Sequence, residues 1–173
     1  MRHLLLLRHA KAVAHARGGE KDIERELAPR GRRDAGVLGR HMLGKSLRPD
    51  LALVSASART RETVALLMAQ WPAAAPLDIQ RGLYLAEAPA LLEALRAAPD
   101  DVRTLMVVGH NPGMADLAMN LTAGGDPDAR ARMMTGFPTC ALAVLAFPGK
   151  SWAELTFQGA RLLDFVTPKH LDA

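Results

Sequence analysis

Short apolar runs alternate along this chain with longer segments of helical periodicity. Residues 4–7 are four consecutive leucines between polar neighbours, and residues 51–54 and 105–108 form two further apolar runs. Runs of this length, bounded by polar residues, are typical of strands that are buried on both faces of a parallel sheet. Residues 77–79 form a weaker candidate strand. The chain therefore begins on a predicted buried strand and returns to that pattern twice.

The segments between these strands carry one apolar face each, as expected for helices. Val64, Leu67, Met68 and Trp71 follow the i, i+3, i+4, i+7 spacing of a single buried helix face. Three other helices are predicted: one opened by Pro29 with Ala35, Leu38 and Met42 on its buried face and a stop at Gly44, one over about residues 89–98, and one after Gly113.

Strands that alternate with helices predict an α/β protein with a mostly parallel central sheet, arranged as a three-layer α/β/α sandwich. Residues 141–147 and 152–157 flank a Pro148-Gly149 turn, which favours two later strands, antiparallel at the sheet edge. The length of 173 residues suits one domain, and we expect residues 1–173 to form it.

Polar residues follow each of the three strongest predicted strands. Arg8 and His9 follow the first strand, residues 55–59 with Arg59 follow the second, and His110 follows the third. The carboxyl ends of parallel neighbours share one edge of the sheet, which is where open α/β folds bind ligands. We therefore expect these groups to face one site.

Two histidines and two arginines on one edge are the residues that phosphoryl transfer through nitrogen requires. The guanidinium groups of Arg8 and Arg59 can each clamp phosphate oxygens with two hydrogen bonds. A neutral histidine can attack phosphorus and divide one difficult displacement into two easier ones. Asn111 is a predicted N-cap, so the helix that follows would also point free amides at the anion.

Charge and composition narrow the choice of partners. The net charge is +4, and the excess is concentrated in a basic segment from Arg25 to Arg48. That segment is either a docking patch for nucleic acid or an acidic protein, or a solvated helix face, and we favour the solvated face. Aromatic residues do not interleave with these charges, so no nucleic-acid partner is expected. The single cysteine, Cys140, excludes an internal disulfide, and we expect it to be buried and unreactive.

The same composition gives expectations about location and metal binding. The apolar run at residues 4–7 is shorter than a signal peptide requires, and no run approaches the length of a membrane helix. We expect a cytoplasmic protein with no membrane partner. Metal ligation by His9, His15 and His110 is an alternative, but no carboxylates are placed to complete a coordination shell, so no metal is expected.

Three motifs in order resemble those of the histidine phosphatase superfamily, the phosphoglycerate-mutase-like proteins. They are Leu-Leu-Leu-Leu-Arg-His-Ala at residues 4–10, Ser-Ala-Ser-Ala-Arg-Thr-Arg-Glu-Thr at 55–63, and Val-Gly-His-Asn-Pro-Gly at 108–113. The short length, residues 31–35 and Phe-Pro-Thr at 137–139 make the small SixA-type phosphohistidine phosphatases the nearest resemblance. It implies a phosphoglycerate-mutase-like fold without cofactor, in which His9 becomes phosphorylated and Arg8, Arg59 and His110 complete the phosphate pocket.

The chain departs from the family pattern where a general acid is expected. Asn111 follows His110, whereas the acid-phosphatase branch has an acidic residue there. Mutase-like members take their acid from an insertion, for which Glu87 and Glu93 are candidates here, although Glu87 equally suits the first turn of a helix. Imidazole leaves from phosphohistidine with little help, whereas an alkoxide needs a proton. This difference favours phosphohistidine as the substrate.

Three functions therefore remain, in decreasing order of support. The first is a metal-independent phosphatase that acts on phosphohistidine in a protein, because the segment from 79 to 105 allows only a minimal lid and an open pocket suits a protein-borne group. The second is a phosphatase or mutase of the same superfamily for a small phosphorylated molecule. The third is a non-catalytic module that binds phosphate or nucleic acid.

Residues Ser55 and Ser57 are further candidates for phosphate contact, with helix capping favoured for Ser57. The oligomeric state is left open.

Overall fold

Strand β1 (Arg2–Arg8) occupies the middle of a seven-stranded sheet in the computed structural model, which describes residues 1–172. The other strands are β2 (Leu51–Ser55), β3 (Leu77–Gln80), β4 (Thr104–Gly109), β5 (Thr122–Gly125), β6 (Leu142–Phe147) and β7 (Ala160–Val166). Their order across the sheet is β3-β2-β4-β1-β6-β7-β5. Neighbouring strands are parallel except where β6 pairs with β1 and with β7. The prediction of a mostly parallel sheet is confirmed.

Helices cover both faces of the sheet. They are α1 (Pro29–Gly44), α2 (Ala58–Met68), α3 (Ala88–Arg96), α4 (Gly113–Leu121), α5 (Pro127–Met134) and α6 (Pro168–Leu171). Leu5 and Leu7 of β1 pack in the core beneath α1 and α2, whereas Leu4 and Leu6 pack in the core beneath α3 and α4. Successive side chains of a strand point to opposite faces, so the leucine run serves both cores. This arrangement confirms the three-layer α/β/α sandwich.

The prediction of a strand at residues 152–157 is wrong. Trp152–Glu154 forms a 3-10 turn instead, and the Trp152 ring is fully buried, with its Nε1 donating a hydrogen bond to the Val102 carbonyl at 2.8 Å. A buried Trp ring has one polar atom, which needs one hydrogen-bond partner. A short turn can supply that contact without a paired strand. The sheet continues instead at β7, which pairs antiparallel with β6.

Several other boundaries differ from the sequence pattern. Helix α2 ends at Met68, so Trp71 packs on the core from the turn beyond it and donates from Nε1 to the Gly39 carbonyl at 3.0 Å. The predicted helix at about 89–98 is α3. Strand β5 and helix α5 were not predicted, since β5 reads Thr-Ala-Gly-Gly and carries no apolar signal.

The connection from β1 to α1 crosses the carboxyl edge of the sheet. It contains a bridge between Ala12 and Leu27 and a 3-10 turn at Asp22–Glu24. Helix α1 packs closely against the start of this connection at Gly31. A Cβ added to Gly31 would stand only 2.0 Å from the Lys11 carbonyl oxygen. The connection is thereby fixed next to the end of β1. Within the described residues, none of the helices has the length and apolar character required to cross a membrane.

Candidate active site

The ends of three neighbouring parallel strands bring the predicted residues to one cavity. Strands β1, β4 and β2 lie side by side and end at Arg8, Gly109 and Ser55. The cavity at this edge has a volume of about 450 Å³ and is lined by Arg8, His9, Arg59 and His110 among other residues. The centroids of the two histidine rings are 5.3 Å apart. The structure therefore unites all four residues that the sequence singled out.

His9 presents a neutral ring with one free nitrogen. Its Nδ1 lies 2.7 Å from the Ala10 carbonyl oxygen, which can only accept a hydrogen bond, so Nδ1 carries the hydrogen and Nε2 keeps its lone pair. Burial lowers the pKa of His9 to about 4, with smaller contributions from Arg59 and Arg8 and an opposing one from the Ala10 hydrogen bond. At neutral pH the ring is thus unprotonated and suited to nucleophilic attack.

His110 is held from the neighbouring strand end. Its Nε2 lies 2.7 Å from Ser55 Oγ, and its Nδ1 is buried with no hydrogen-bond partner among the described residues. Burial lowers the pKa of His110 to about 3, and the neighbouring His9 and Arg59 act in the same direction. The ring is therefore neutral at neutral pH.

The two arginines differ in how firmly the protein holds them. Arg59 in the first turn of α2 is almost fully buried and donates to Asp22 twice, from Nη1 to the backbone oxygen at 2.9 Å and from Nη2 to Oδ2 at 3.1 Å. Its guanidinium also lies over the Tyr84 ring, 5.7 Å from the centroid. Arg8 is half-buried and donates from Nη1 to the Phe137 carbonyl at 3.1 Å. The Nε of each arginine has no partner within residues 1–172.

Asp22, Arg25 and Tyr84 belong to the site but were missed by the sequence analysis. Asp22 accepts hydrogen bonds from the Tyr84 hydroxyl and from Arg25 Nε, the latter at 3.0 Å. The Tyr84 hydrogen bond, then Arg25 and Arg59, hold the pKa of Asp22 at about 2 against the opposing effect of burial. No strand end or motif marked these residues, because Asp22 and Arg25 are two of many charged residues in one polar connection.

Side chains of α2 fix the loop that carries His9. Thr63 Oγ1 accepts a hydrogen bond from the Ala10 amide at 3.0 Å and donates to the Arg59 carbonyl at 2.7 Å. Ser57 caps α2 by accepting from the Thr60 amide, as predicted. The N-cap predicted at Asn111 is wrong, because α4 begins at Gly113 and the residue before it is Pro112.

Asn111 instead ties the loop after His110 to two neighbouring segments. Its Nδ2 donates to the Phe137 carbonyl at 2.8 Å, and its Oδ1 accepts from the Ala115 amide at 3.2 Å. The Phe137 carbonyl also accepts from Arg8, so one oxygen links Arg8 and Asn111. Asn111 lines the cavity, but its amide carries no proton for a leaving group.

The two candidate general acids lie elsewhere. Glu87 is exposed and lines an adjacent groove with Asp116 and Asn120, and Glu93 lies 3.3 Å from Arg96 on the outer side of α3. Neither is among the residues that line the cavity. Residues 1–172 contain no group of three or more His, Cys, Asp or Glu side chains arranged to hold a metal ion.

The basic segment is partly neutralised on the surface. Arg30 lies 3.7 Å from Asp34, and Arg32 lies 3.6 Å from Glu62. Cys140 is buried next to the site, and burial raises the pKa of its thiol to about 12. That thiol is protonated at neutral pH and is a poor nucleophile.

Comparison with known proteins identifies the family. Residues 4–84 match the family model of the histidine phosphatase superfamily (branch 1). A solved structure assigned as the phosphohistidine phosphatase SixA of Agrobacterium tumefaciens is 32% identical, with a TM-score of 0.79 over 96% of this chain and 99% of its own. This chain belongs to the histidine phosphatase superfamily.

Two other proteins are similar to this histidine phosphatase over most of its length. A structure assigned as SixA of Nakamurella multipartitia is 30% identical, with a TM-score of 0.81 over 96% of each chain. An uncharacterized protein of Mycobacterium leprae is 33% identical over 94% of this chain and all of its own. The family predicted from the three motifs is confirmed, and the chain is a phosphatase with a SixA-like fold.

Proposed function

We propose that this histidine phosphatase removes phosphoryl groups from phosphohistidine in a protein, through an intermediate in which His9 carries the phosphoryl group. The observation that carries the proposal is the free Nε2 of a neutral His9 at the floor of a cavity lined by Arg8 and Arg59. The nucleophile and the phosphate-binding cations face the same space. This combination is what attack on a phosphoryl dianion requires.

The reaction proceeds in two displacements. In the first, the Nε2 lone pair of His9 attacks phosphorus, and the bond to the substrate nitrogen breaks with its electron pair passing to the substrate imidazole. In the second, water attacks the phosphoryl group on His9, the electron pair returns to Nε2, and the proton of the water passes to the departing phosphate. Arg8 and Arg59 stabilise the charge on the equatorial oxygens, with His110 beside them in the cavity lining.

The shortage of proton donors in the cavity supports phosphohistidine over a phosphoester. Asp22 is the carboxyl residue among those that line the cavity, and its pKa of about 2 leaves it ionised. Both candidate glutamates lie outside. An alkoxide would leave without a proton, whereas an imidazole is a far better leaving group. The two relatives assigned as SixA phosphohistidine phosphatases support the same substrate.

The surroundings of the cavity support a protein as the carrier of the phosphoryl group. The connection from β3 to β4 consists of a 3-10 turn at Arg81–Leu83 and helix α3, with no inserted domain over the site. A second groove beyond the Asp22–Glu24 turn is lined by the exposed cations Lys21, Arg61 and Arg81 and by one acid, Glu24. Within residues 1–172, none of these three cations is in a salt bridge. An acidic protein surface fits such a border.

Rapid mixing with a phosphohistidine protein tests the proposal. The wild-type enzyme should form an acid-labile phosphoenzyme and release phosphate, whereas His9→Ala should do neither. A folded wild-type protein that gives neither phosphoenzyme nor turnover would refute the mechanism. Binding that persists in His9→Ala, with a steep salt dependence and no turnover in the wild type, would instead favour a binding module.

A phosphatase or mutase for a small phosphorylated molecule is the second candidate. The cavity volume of about 450 Å³ favours it, because that is a typical size for a small-molecule site. The specificity constants for sugar phosphates and for a phosphohistidine protein, measured side by side, distinguish the two candidates.

A further inference from the structure

Asp22 lines the cavity that holds the proposed nucleophile, at its exposed rim. Its side chain is 50% exposed, whereas His9 at the floor is only 7% exposed. An in-line displacement keeps the attacking and leaving atoms on opposite sides of phosphorus. A leaving group displaced by His9 therefore departs toward the exposed rim, where Asp22 lies.

The Asp22 carboxylate is fixed in place by three side chains. Oδ2 accepts hydrogen bonds from Arg59 Nη2 and from the Tyr84 hydroxyl, and Oδ1 accepts from Arg25 Nε. The backbone oxygen of Asp22 also accepts from Arg59 Nη1. A carboxylate oxygen has two lone-pair positions, so Oδ1 retains a free one for a further donor. The structure thus presents an oriented acceptor at the rim.

The Asp22 carboxylate is an anion in a cavity whose other charged side chains are cations. Arg8, Lys11, Arg25 and Arg59 line the same cavity and suit the phosphoryl oxygens. The hydrogen bonds of this carboxylate orient Arg59, but its charge repels a phosphoryl dianion. The free lone pair on Oδ1 takes no part in orienting Arg59. Its position at the rim points to interaction with the leaving group.

An imidazole differs from an oxygen leaving group in the hydrogen it carries. In phosphohistidine, one ring nitrogen holds phosphorus, and the other, when protonated, has an N–H that can donate. A carboxylate that accepts this hydrogen bond stabilises the cationic ring, which is the better leaving group. An alkoxide or phenolate has no such hydrogen and develops negative charge, which the same carboxylate repels.

We propose that Asp22 determines specificity by accepting a hydrogen bond from the departing imidazole and by disfavouring anionic oxygen leaving groups. As the bond from phosphorus to the substrate nitrogen breaks, its electron pair passes to the ring, and the proton on the other nitrogen stays there. A neutral imidazole leaves, and Asp22 is unchanged. This inference rests on the proposed function and names the group that selects its substrate class.

Asp22 also holds Arg59, so removing it weakens phosphate binding for every substrate. A comparison of leaving groups separates this positioning effect from specificity, because the proposed partners of Arg59 are the phosphoryl oxygens, which all substrates share. The ratio of two specificity constants cancels the shared loss. The informative quantity is therefore the ratio of kcat/KM for a phosphohistidine peptide to that for p-nitrophenyl phosphate.

Asp22→Asn is the test, since the amide oxygen still accepts hydrogen bonds but the charge is gone. We expect the ratio to fall by about tenfold or more, the size of a lost charge-assisted hydrogen bond. Asp22→Ser, which is smaller and tolerates local rearrangement, should lower the ratio in the same way. Glu20→Gln is the matched control, because it removes a carboxylate charge from the same connection at a residue that does not line the cavity, so the ratio should stay near the wild-type value.

The outcomes separate this inference from the proposed function. A wild-type enzyme that prefers the phosphohistidine peptide, together with Asp22 variants that keep this preference, would overturn the role of Asp22 alone. A wild-type enzyme that hydrolyses the phosphoester and ignores the phosphohistidine peptide would overturn the proposed function and the inference with it. An equal fall of the ratio in Glu20→Gln would also count against a specific role of the Asp22 charge.

Discussion

His110 and Ser55 join the ends of two neighbouring strands through one buried hydrogen bond, with 2.7 Å between Nε2 and Oγ. The bond occupies one ring nitrogen and leaves the other, Nδ1, buried without a partner in the described part of the chain. An unsatisfied buried nitrogen destabilises a folded protein, so this arrangement of His110 lowers stability next to the cavity. If Ser55 donates to Nε2, the hydrogen of His110 resides on Nδ1.

Replacement of Ser55 by alanine should reduce kcat by about tenfold or more with a smaller effect on KM, because His110 loses the contact that sets its tautomer and orientation. Steady-state kinetics with p-nitrophenyl phosphate measure both constants. Ser57→Ala is the matched control in the same loop. It removes the cap of α2 and should cost about 1 kcal/mol of unfolding free energy while kcat stays unchanged. Equal kcat values in the two variants would contradict the role of Ser55.

The sequence was sufficient to predict the parts of the site that strand ends carry. The leucine run of β1 and the apolar runs of β2 and β4 are long and bounded, so their carboxyl ends were identifiable from hydropathy alone. Arg8, His9 and His110 follow from those ends directly. Arg59 sits within the first turn of α2, where the motif rather than the periodicity marked it.

Residues placed by tertiary contacts were beyond the reach of sequence patterns. Asp22 reaches the cavity only because the connection from β1 to α1 folds over the sheet edge, and Tyr84 reaches Asp22 and His110 from the turn that follows β3. The wrong prediction of a strand at residues 152–157 has a similar cause. Its apolar residues Trp152 and Leu155 are buried in a turn against the core, which hydropathy cannot distinguish from a strand.

The contact between Gly31 and the chain after His9 predicts an unusually sensitive glycine. A Cβ at position 31 would stand 2.0 Å from the Lys11 carbonyl oxygen, so Gly31→Ala must push α1 away from the segment that follows the proposed nucleophile. We expect a loss of about 2–3 kcal/mol in unfolding free energy and a fall in kcat. Urea denaturation and steady-state kinetics provide the two measurements.

Gly36→Ala in the same helix is the control for that substitution. A Cβ there would meet its nearest atoms at 3.7 Å and 3.8 Å, both at the ends of flexible side chains. The variant should be neutral or more stable by about 0.5–1 kcal/mol, since alanine favours a helix over glycine. A comparable destabilisation in both variants would show that the Lys11 contact is unimportant.

Replacing Arg59 by lysine should reveal the need for a planar guanidinium. Lysine keeps the charge but lacks the rigid planar fork that spans two Asp22 oxygens and can also face phosphate oxygens. We expect kcat/KM to fall by about 100-fold, in the range for loss of one electrostatic contact in a transition state. Arg40→Lys, on the exposed surface of α1, should keep the wild-type value. A wild-type rate in Arg59→Lys would show that charge alone suffices.

The two buried histidines should make the protein less stable as the pH falls. The pKa of His9 is about 4 in the folded protein, against an ordinary value of 6.5, and that of His110 is about 3. Between those values and 6.5 the unfolded chain binds more protons than the folded one, so unfolding free energy falls with falling pH. Each histidine should contribute a loss of about 2 kcal/mol between pH 7 and pH 5.

Urea denaturation of the wild type, His9→Gln and His110→Gln at several pH values between 5 and 7 measures this contribution. Each variant lacks one titrating ring, so its stability should decline less steeply than that of the wild type, while carboxylate effects remain common to all three proteins. Parallel curves for wild type and variants would mean that the rings titrate normally. The acid limb of kcat/KM should then also lie near pH 6.5, instead of near the lower pKa that a neutral, buried His9 nucleophile requires.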